Sequence, residues 1–93
     1  MKKKQKTHIF VIENDKGLHT RPATELVKCV SKFQAEIYLK FNDLRINAKS
    51  LLGILMLAAP KGSKIEIETE GLDGSDAIEA LKTLAKNKFY MSY

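Results

Sequence analysis

Residues 64–70, Lys-Ile-Glu-Ile-Glu-Thr-Glu, alternate without interruption, placing Ile65, Ile67 and Thr69 opposite the glutamates. Successive side chains of a strand point to opposite faces, so this segment has one dry face and one wet face. Strands of this kind favour a mainly antiparallel sheet that needs cover on a single side. Any helices in the chain are therefore expected to share one layer.

Two further segments support the same sheet. Residues 36–41 alternate Ile37, Leu39 and Phe41 against Glu36, Tyr38 and Lys40, and Asn42-Asp43 separates them from the short run 44–47, which predicts a hairpin. Residues 7–13, Thr-His-Ile-Phe-Val-Ile-Glu, form a β-rich run. Ile9 and Val11 lie on one of its faces and Phe10 and Ile12 on the other, so burial is expected on much of both. The run ends at the turn signal Asn14-Asp15-Lys16-Gly17.

Between the strands the period changes from 2 to 3.6. Ala23, Leu26, Val27, Val30 and Phe33 predict an amphipathic helix over 22–33, with Pro22 at its first position, where the missing N–H costs nothing. Ser50 is placed to cap a short apolar helix over 51–57 that ends before Ala58-Ala59-Pro60-Lys61-Gly62. A last helix starts near Asp73, its expected cap, and buries Ala77, Ile78, Leu81, Leu84 and Ala85. The resulting order β-α-β-β-α-β-α describes a two-layer α+β domain.

At 93 residues and 44% hydrophobic content, with five Gly and two Pro, the whole chain 1–93 fits one domain. A domain this small has one modest core, which argues against a deep cavity for a large substrate. The net charge of +5 comes partly from the run Met1-Lys2-Lys3-Lys4-Gln5-Lys6, read as a solvated basic tail over 1–6. Nucleic-acid binding would need a wider basic stripe with interleaved aromatics, yet the other charges alternate in sign. A small nucleic-acid-binding domain therefore stays a weaker alternative.

No apolar segment follows the N-terminal lysines as in a signal peptide, and Leu51 to Pro60 is too short to span a bilayer, so a cytoplasmic protein without membrane insertion is expected. The single Cys29 reads as core filler, His8 as structural, and no Cys/His spacing suggests a metal site.

The chemistry concentrates in Gly17-Leu18-His19-Thr20-Arg21-Pro22-Ala23. The spacing puts His19 at the mouth of the first helix, where N–H groups and the positive end of the dipole can hold a phosphate. The positive terminus and Arg21 disfavour a second positive charge there. A neutral imidazole keeps a lone pair able to attack phosphorus, and the resulting dianion would find charge-assisted donors. From spacing alone, a surface histidine that merely caps a helix remains an equal reading.

This stretch resembles the active-site signature of the HPr family, the histidine-containing phosphocarriers of the bacterial phosphoenolpyruvate:sugar phosphotransferase system. Six of the seven positions match the family's usual form; Thr20 stands where alanine is usual and adds a hydroxyl beside the phosphate site. The likeness continues through Ala48 to Leu57 and Ala58 to Gly71, and covers residues 8 to about 88. It implies an open-faced β-sandwich of four antiparallel strands under three helices. It also implies that His19 accepts a phosphoryl group on Nδ1 from phosphorylated enzyme I and passes it to IIA domains of sugar permeases, with Arg21 as phosphate partner and Thr20 beside it. Such a protein is a phosphorylated intermediate rather than an independent catalyst, needs no cofactor of its own, and is expected to be a monomer.

Ser50 resembles the regulatory position phosphorylated by HPr kinase/phosphorylase, although N-capping alone explains a serine there. Leu51, Leu52 and Leu55 match the positions such proteins offer to partners, while Ile54 and Met56 are the better core candidates. Lys28, Lys49 and Arg21 are expected to ring this docking patch with positive charge. A regulatory relative with little sugar transport is the alternative inside the family.

Overall fold

The computed structural model describes residues 5–91. Its order is β1 (Gln5–Val11), α1 (Thr20–Val30), β2 (Glu36–Phe41), β3 (Leu44–Asn47), α2 (Leu51–Leu57), β4 (Lys64–Glu70) and α3 (Gly74–Lys86), followed by a 3-10 turn at Lys88–Tyr90. Residues 1–4 of the expected basic tail lie outside the described residues. Gln5 and Lys6 do not belong to a tail, because they open β1 and pair with Glu70 and Thr69.

All strand pairs are antiparallel, in the order β1-β4-β2-β3. β4 is flanked on both sides, so its alternation decides both faces of the sheet. Ile65 and Ile67 are fully buried and Thr69 nearly so, under Leu26, Ile54, Ile78 and Leu81. The hairpin between β2 and β3 turns on Asn42 and Asp43, at φ 51° and 66°. A two-residue turn matching the twist of its strands needs that left-handed pair, and asparagine and aspartate tolerate it.

Opposite the helices the sheet is wet. Arg45 Nε bonds Glu68 Oε1 at 2.8 Å and its guanidinium lies 3.8 Å from the centre of the Tyr38 ring, while Lys40 lies 3.8 Å from both Glu66 and Glu68. The expectation that β1 is buried on both faces fails here. Ile9 and Val11 sit across from Glu66 and Lys64 on the open face and are exposed, whereas Phe10 and Ile12 face the helices and are buried.

Two contacts close the core in ways that periodicity does not reveal. After α3, Lys88, Phe89 and Tyr90 take φ values of 55°, 55° and 63°, turning the chain so that Phe89 enters the core. Its ring meets Phe10 edge-on with centroids 6.5 Å apart. Asp73 precedes α3 as expected but does not cap it with its side chain. Instead its carboxylate accepts from the backbone N–H groups of Gln34 and Ala35, both at 2.8 Å, tying the start of α3 to the entry of β2.

Those bonds, that of Gln34 foremost, hold the Asp73 carboxyl below its ordinary value. A carboxylate depressed by folding contributes stability that is fully present above the unfolded value, near pH 4, and is lost as pH falls through the folded one. Asp73→Asn should therefore lower the urea midpoint at pH 7 and flatten its decline below about pH 4, measured by unfolding followed with circular dichroism.

Candidate functional site

The loop ahead of α1 is held from within and from the side. Gly17 N–H donates to the Asn14 carbonyl at 3.1 Å, and Asn14 Nδ2 donates back to the Gly17 carbonyl. Gly17 has φ +68°, and a Cβ there would run into the Ala59 carbonyl oxygen and lie 2.8 Å from Pro60 Cα. Glycine is thus required twice, for its backbone angle and for the close approach. Leu18 N–H donates to that same Ala59 carbonyl at 2.9 Å, and Lys61 pairs with Asp15 at 2.9 Å, a bond that holds the Asp15 carboxyl below its ordinary value. The segment after α2 thereby fixes where α1 begins.

His19 is the N-cap of α1, in an extended conformation (φ −88°, ψ −171°) whose carbonyl accepts from Ala23 N–H at 3.0 Å. The helix therefore starts at Thr20, two residues before the expected Pro22 and directly behind the histidine. Proline is tolerated at the third position because the first-turn N–H groups have no acceptor inside the helix. The amides of Thr20 and Arg21 open onto the same end, and both side chains are exposed. Thr24 Oγ1 donates to the Thr20 carbonyl at 2.8 Å, so the second threonine bonds within the helix.

The His19 ring is half-buried, with Nε2 in the buried part. A nitrogen lone pair at the positive end of a helix, with a guanidinium two residues away, suits capture of an anionic group at the ring edge.

Ser50 caps α2 as its position suggests, its Oγ accepting from Gly53 N–H at 3.0 Å. Beyond it Leu51 and Leu52 are exposed, Leu55 is half-buried and Ile54 is fully buried. Met56, expected in the core, is 59% exposed; it follows Leu52, 69% exposed, by four residues and continues that apolar ridge on the helix. The buried stripe uses Ile54 and Leu57 instead, since a seven-residue helix can turn only one side to the sheet.

The cations expected around this patch have different surroundings. Lys49 Nζ donates to the Phe33 carbonyl at 2.6 Å, placing its charge against the chain leaving α1. Lys28 lies 3.8 Å from Glu25 and lines a groove between α1 and α3 with Cys29, Glu79 and Leu84. Arg21 is at the helix mouth. The Cys29 thiol is half-buried, and burial pushes its pKa up. His8, on β1, is exposed. Asn14 was legible only as part of a turn signal, whereas it is fully buried at the base of the His19 loop. Among the described residues no group of carboxylate, histidine and cysteine side chains could hold a metal ion, and no helix is long and apolar enough to cross a membrane.

Residues 6–87 match the family described as "PTS HPr component phosphorylation site". The phosphocarrier protein HPr of Neisseria meningitidis serogroup A is 42% identical over 78 residues, which are 84% of this chain and 88% of that protein. The crystal structure of HPr-C-His from Thermoanaerobacter tengcongensis superposes with a TM-score of 0.89 at 36% identity, covering 95% of this chain and 99% of the other. A phosphocarrier protein HPr from Bacillus anthracis gives 0.81 at 37% identity, with 85% and 94% covered.

Gly17→Ala should lower stability by about 1–3 kcal/mol from the left-handed backbone alone, with a further loss from the contact at Ala59. Urea unfolding measures the total, and amide exchange of Leu18 reports whether its bond to Ala59 survives.

Proposed function

Because the chain belongs to the HPr family of phosphocarriers of the phosphotransferase system, we propose that His19 accepts a phosphoryl group on Nδ1 from phosphorylated enzyme I and delivers it to IIA domains of sugar permeases. The carrying observation is the position of His19 as N-cap of α1, with Nε2 buried and Arg21 beside it.

In the transfer, the Nδ1 lone pair forms a bond to phosphorus while the donor's bond to phosphorus breaks and its electron pair returns to the donor. The phosphoryl oxygens gather negative charge through this exchange. The amides of Thr20 and Arg21, the Arg21 guanidinium and the helix dipole stabilise that charge without a metal ion from this chain. The Thr20 hydroxyl adds a further donor within the same turn. Release to the next protein reverses the step, so the site must hold the group firmly without trapping it.

Leu51, Leu52 and Leu55 serve as the docking surface next to the histidine, acting as a monomer in the cytoplasm. Arg21 contributes the nearest positive charge, with Lys28 and Lys49 assisting encounter from farther off. Phosphorylation of Ser50 by HPr kinase/phosphorylase would add a charge of about −1.5 to −2 at the start of α2, where the fold tolerates it but a docking partner meets it. The nucleic-acid alternative is disfavoured by the open sheet face, where Lys40 and Arg45 pair with Glu66 and Glu68 instead of forming a basic stripe.

Intact-mass analysis after incubation with phosphoenolpyruvate, magnesium and purified enzyme I should show one acid-labile phosphoryl group on the wild type and none on His19→Ala. Equal labelling of the two proteins would refute the assignment. Ser50→Asp should leave the unfolding midpoint nearly unchanged and slow acceptance from enzyme I by about tenfold, equivalent to ~1.4 kcal/mol of docking energy.

A further inference from the structure

Among the described residues Asn14 is one of three buried polar residues, with Ser63 and Thr69, and it lies at the root of the loop that carries His19. Its backbone carbonyl accepts from Gly17 N–H and its side-chain Nδ2 donates to the Gly17 carbonyl, so a single residue brackets Gly17 from both sides. The Gly17 carbonyl also accepts from His19 N–H at 3.1 Å. Two donors therefore converge on one oxygen, and one of them is the backbone of the histidine itself.

The other end of the Asn14 amide is not satisfied. Oδ1 is buried and has no hydrogen-bond partner among the described residues. A buried acceptor left unpaired is a cost to folding, and such groups call for an explanation other than stability. The Gly17 carbonyl does not need Asn14 to be satisfied, since it keeps His19 N–H. A leucine of similar shape at position 14 would remove the orphaned oxygen and create no new one. What it would remove is the second restraint on the Gly17 peptide, at the residue with the greatest backbone freedom in the loop.

We propose that Asn14 is a positioning residue for phosphoryl transfer: it locks the orientation of the Gly17 peptide and, through the shared carbonyl, the direction in which the His19 ring leaves the chain. This rests on the reading of His19 as phosphoryl acceptor. In-line transfer between two proteins depends on alignment at the reacting nitrogen, where misplacement by about 1 Å can cost about a hundredfold in rate. The docking residues of α2 are elsewhere in the chain, so the effect belongs to the transfer step and not to partner affinity.

The test compares wild type, Asn14→Leu and Asn14→Ser in three measurements: urea midpoint, steady-state transfer from phosphorylated enzyme I, and exchange of the His19 backbone amide. For Asn14→Leu we expect a midpoint equal to or above wild type, an unchanged KM for enzyme I, a kcat reduced between about ten- and a hundredfold, and faster exchange of the His19 amide while Ile67 on β4 keeps its protection. Asn14→Ser, which retains a donor on a shorter arm, should recover part of kcat. If leucine does not pack, Asn14→Ala is read in the same way. Wild-type kcat in Asn14→Leu would overturn the inference, as would a loss of kcat that merely follows a lowered midpoint. If the wild type takes no phosphoryl group at His19, the carrier reading itself falls and takes this inference with it; normal wild-type labelling with an unaffected variant sinks the inference alone.

Discussion

The fold depends on β4 being hydrogen-bonded along both edges. β1 reaches it from one side and β2 from the other, so the first strand of the chain has no neighbour until residues 64–70 are in place. Residues near the start of the chain must therefore meet residues 64–70 across most of the sequence before β1 can join the sheet, a long-range pairing that slows folding. Once β4 is seated, Ile65 and Ile67 supply the floor on which α1 and α3 pack. Phe89 then reaches back to Phe10, closing the core beside the edge strand with the last part of the described chain.

The same central strand ties fold to site. β1 leads into the loop containing Asn14 and Gly17, while β4 is entered from the segment containing Ala59, Lys61 and Ser63. The antiparallel register of Val11 with Lys64 brings those two loops together. Ile12 N–H donates to the Ser63 carbonyl and Gly62 N–H to the Ile12 carbonyl, extending the ladder past the formal strand ends. The position of His19 relative to α2 is therefore a consequence of sheet register, transmitted through short main-chain bonds and not through a flexible connection.

Local signals made much of this legible. The β2–β3 hairpin, α2 with its Ser50 cap, and β4 follow from patterns contained within a few residues, and their boundaries agree with those read from sequence. The placement of His19 and Arg21 at the mouth of α1 was also readable, because a proline marks that helix start, and the exposure of Leu51 and Leu52 agrees with the likeness of α2 to the family. The errors arose where a residue answers to something distant. Met56 lies outside the stripe that α2 turns toward the sheet, Ile9 and Val11 depend on which sheet face lacks helices, and Asp73 finds two free amides on another loop. Phe89 has no periodic context because it enters the core through a left-handed turn. Asn14 looks like any asparagine in a turn until its burial is known.

The direction of β1 has a practical consequence. Its seven residues run from Gln5 toward the loop of His19, so Gln5 lies about 20 Å back along the sheet from the end where phosphate would be exchanged. A fluorescent label or surface linker attached at the Gln5 side chain would sit at the end of β1 remote from the histidine. The protein can thus be immobilised by that side with the His19 loop turned outward.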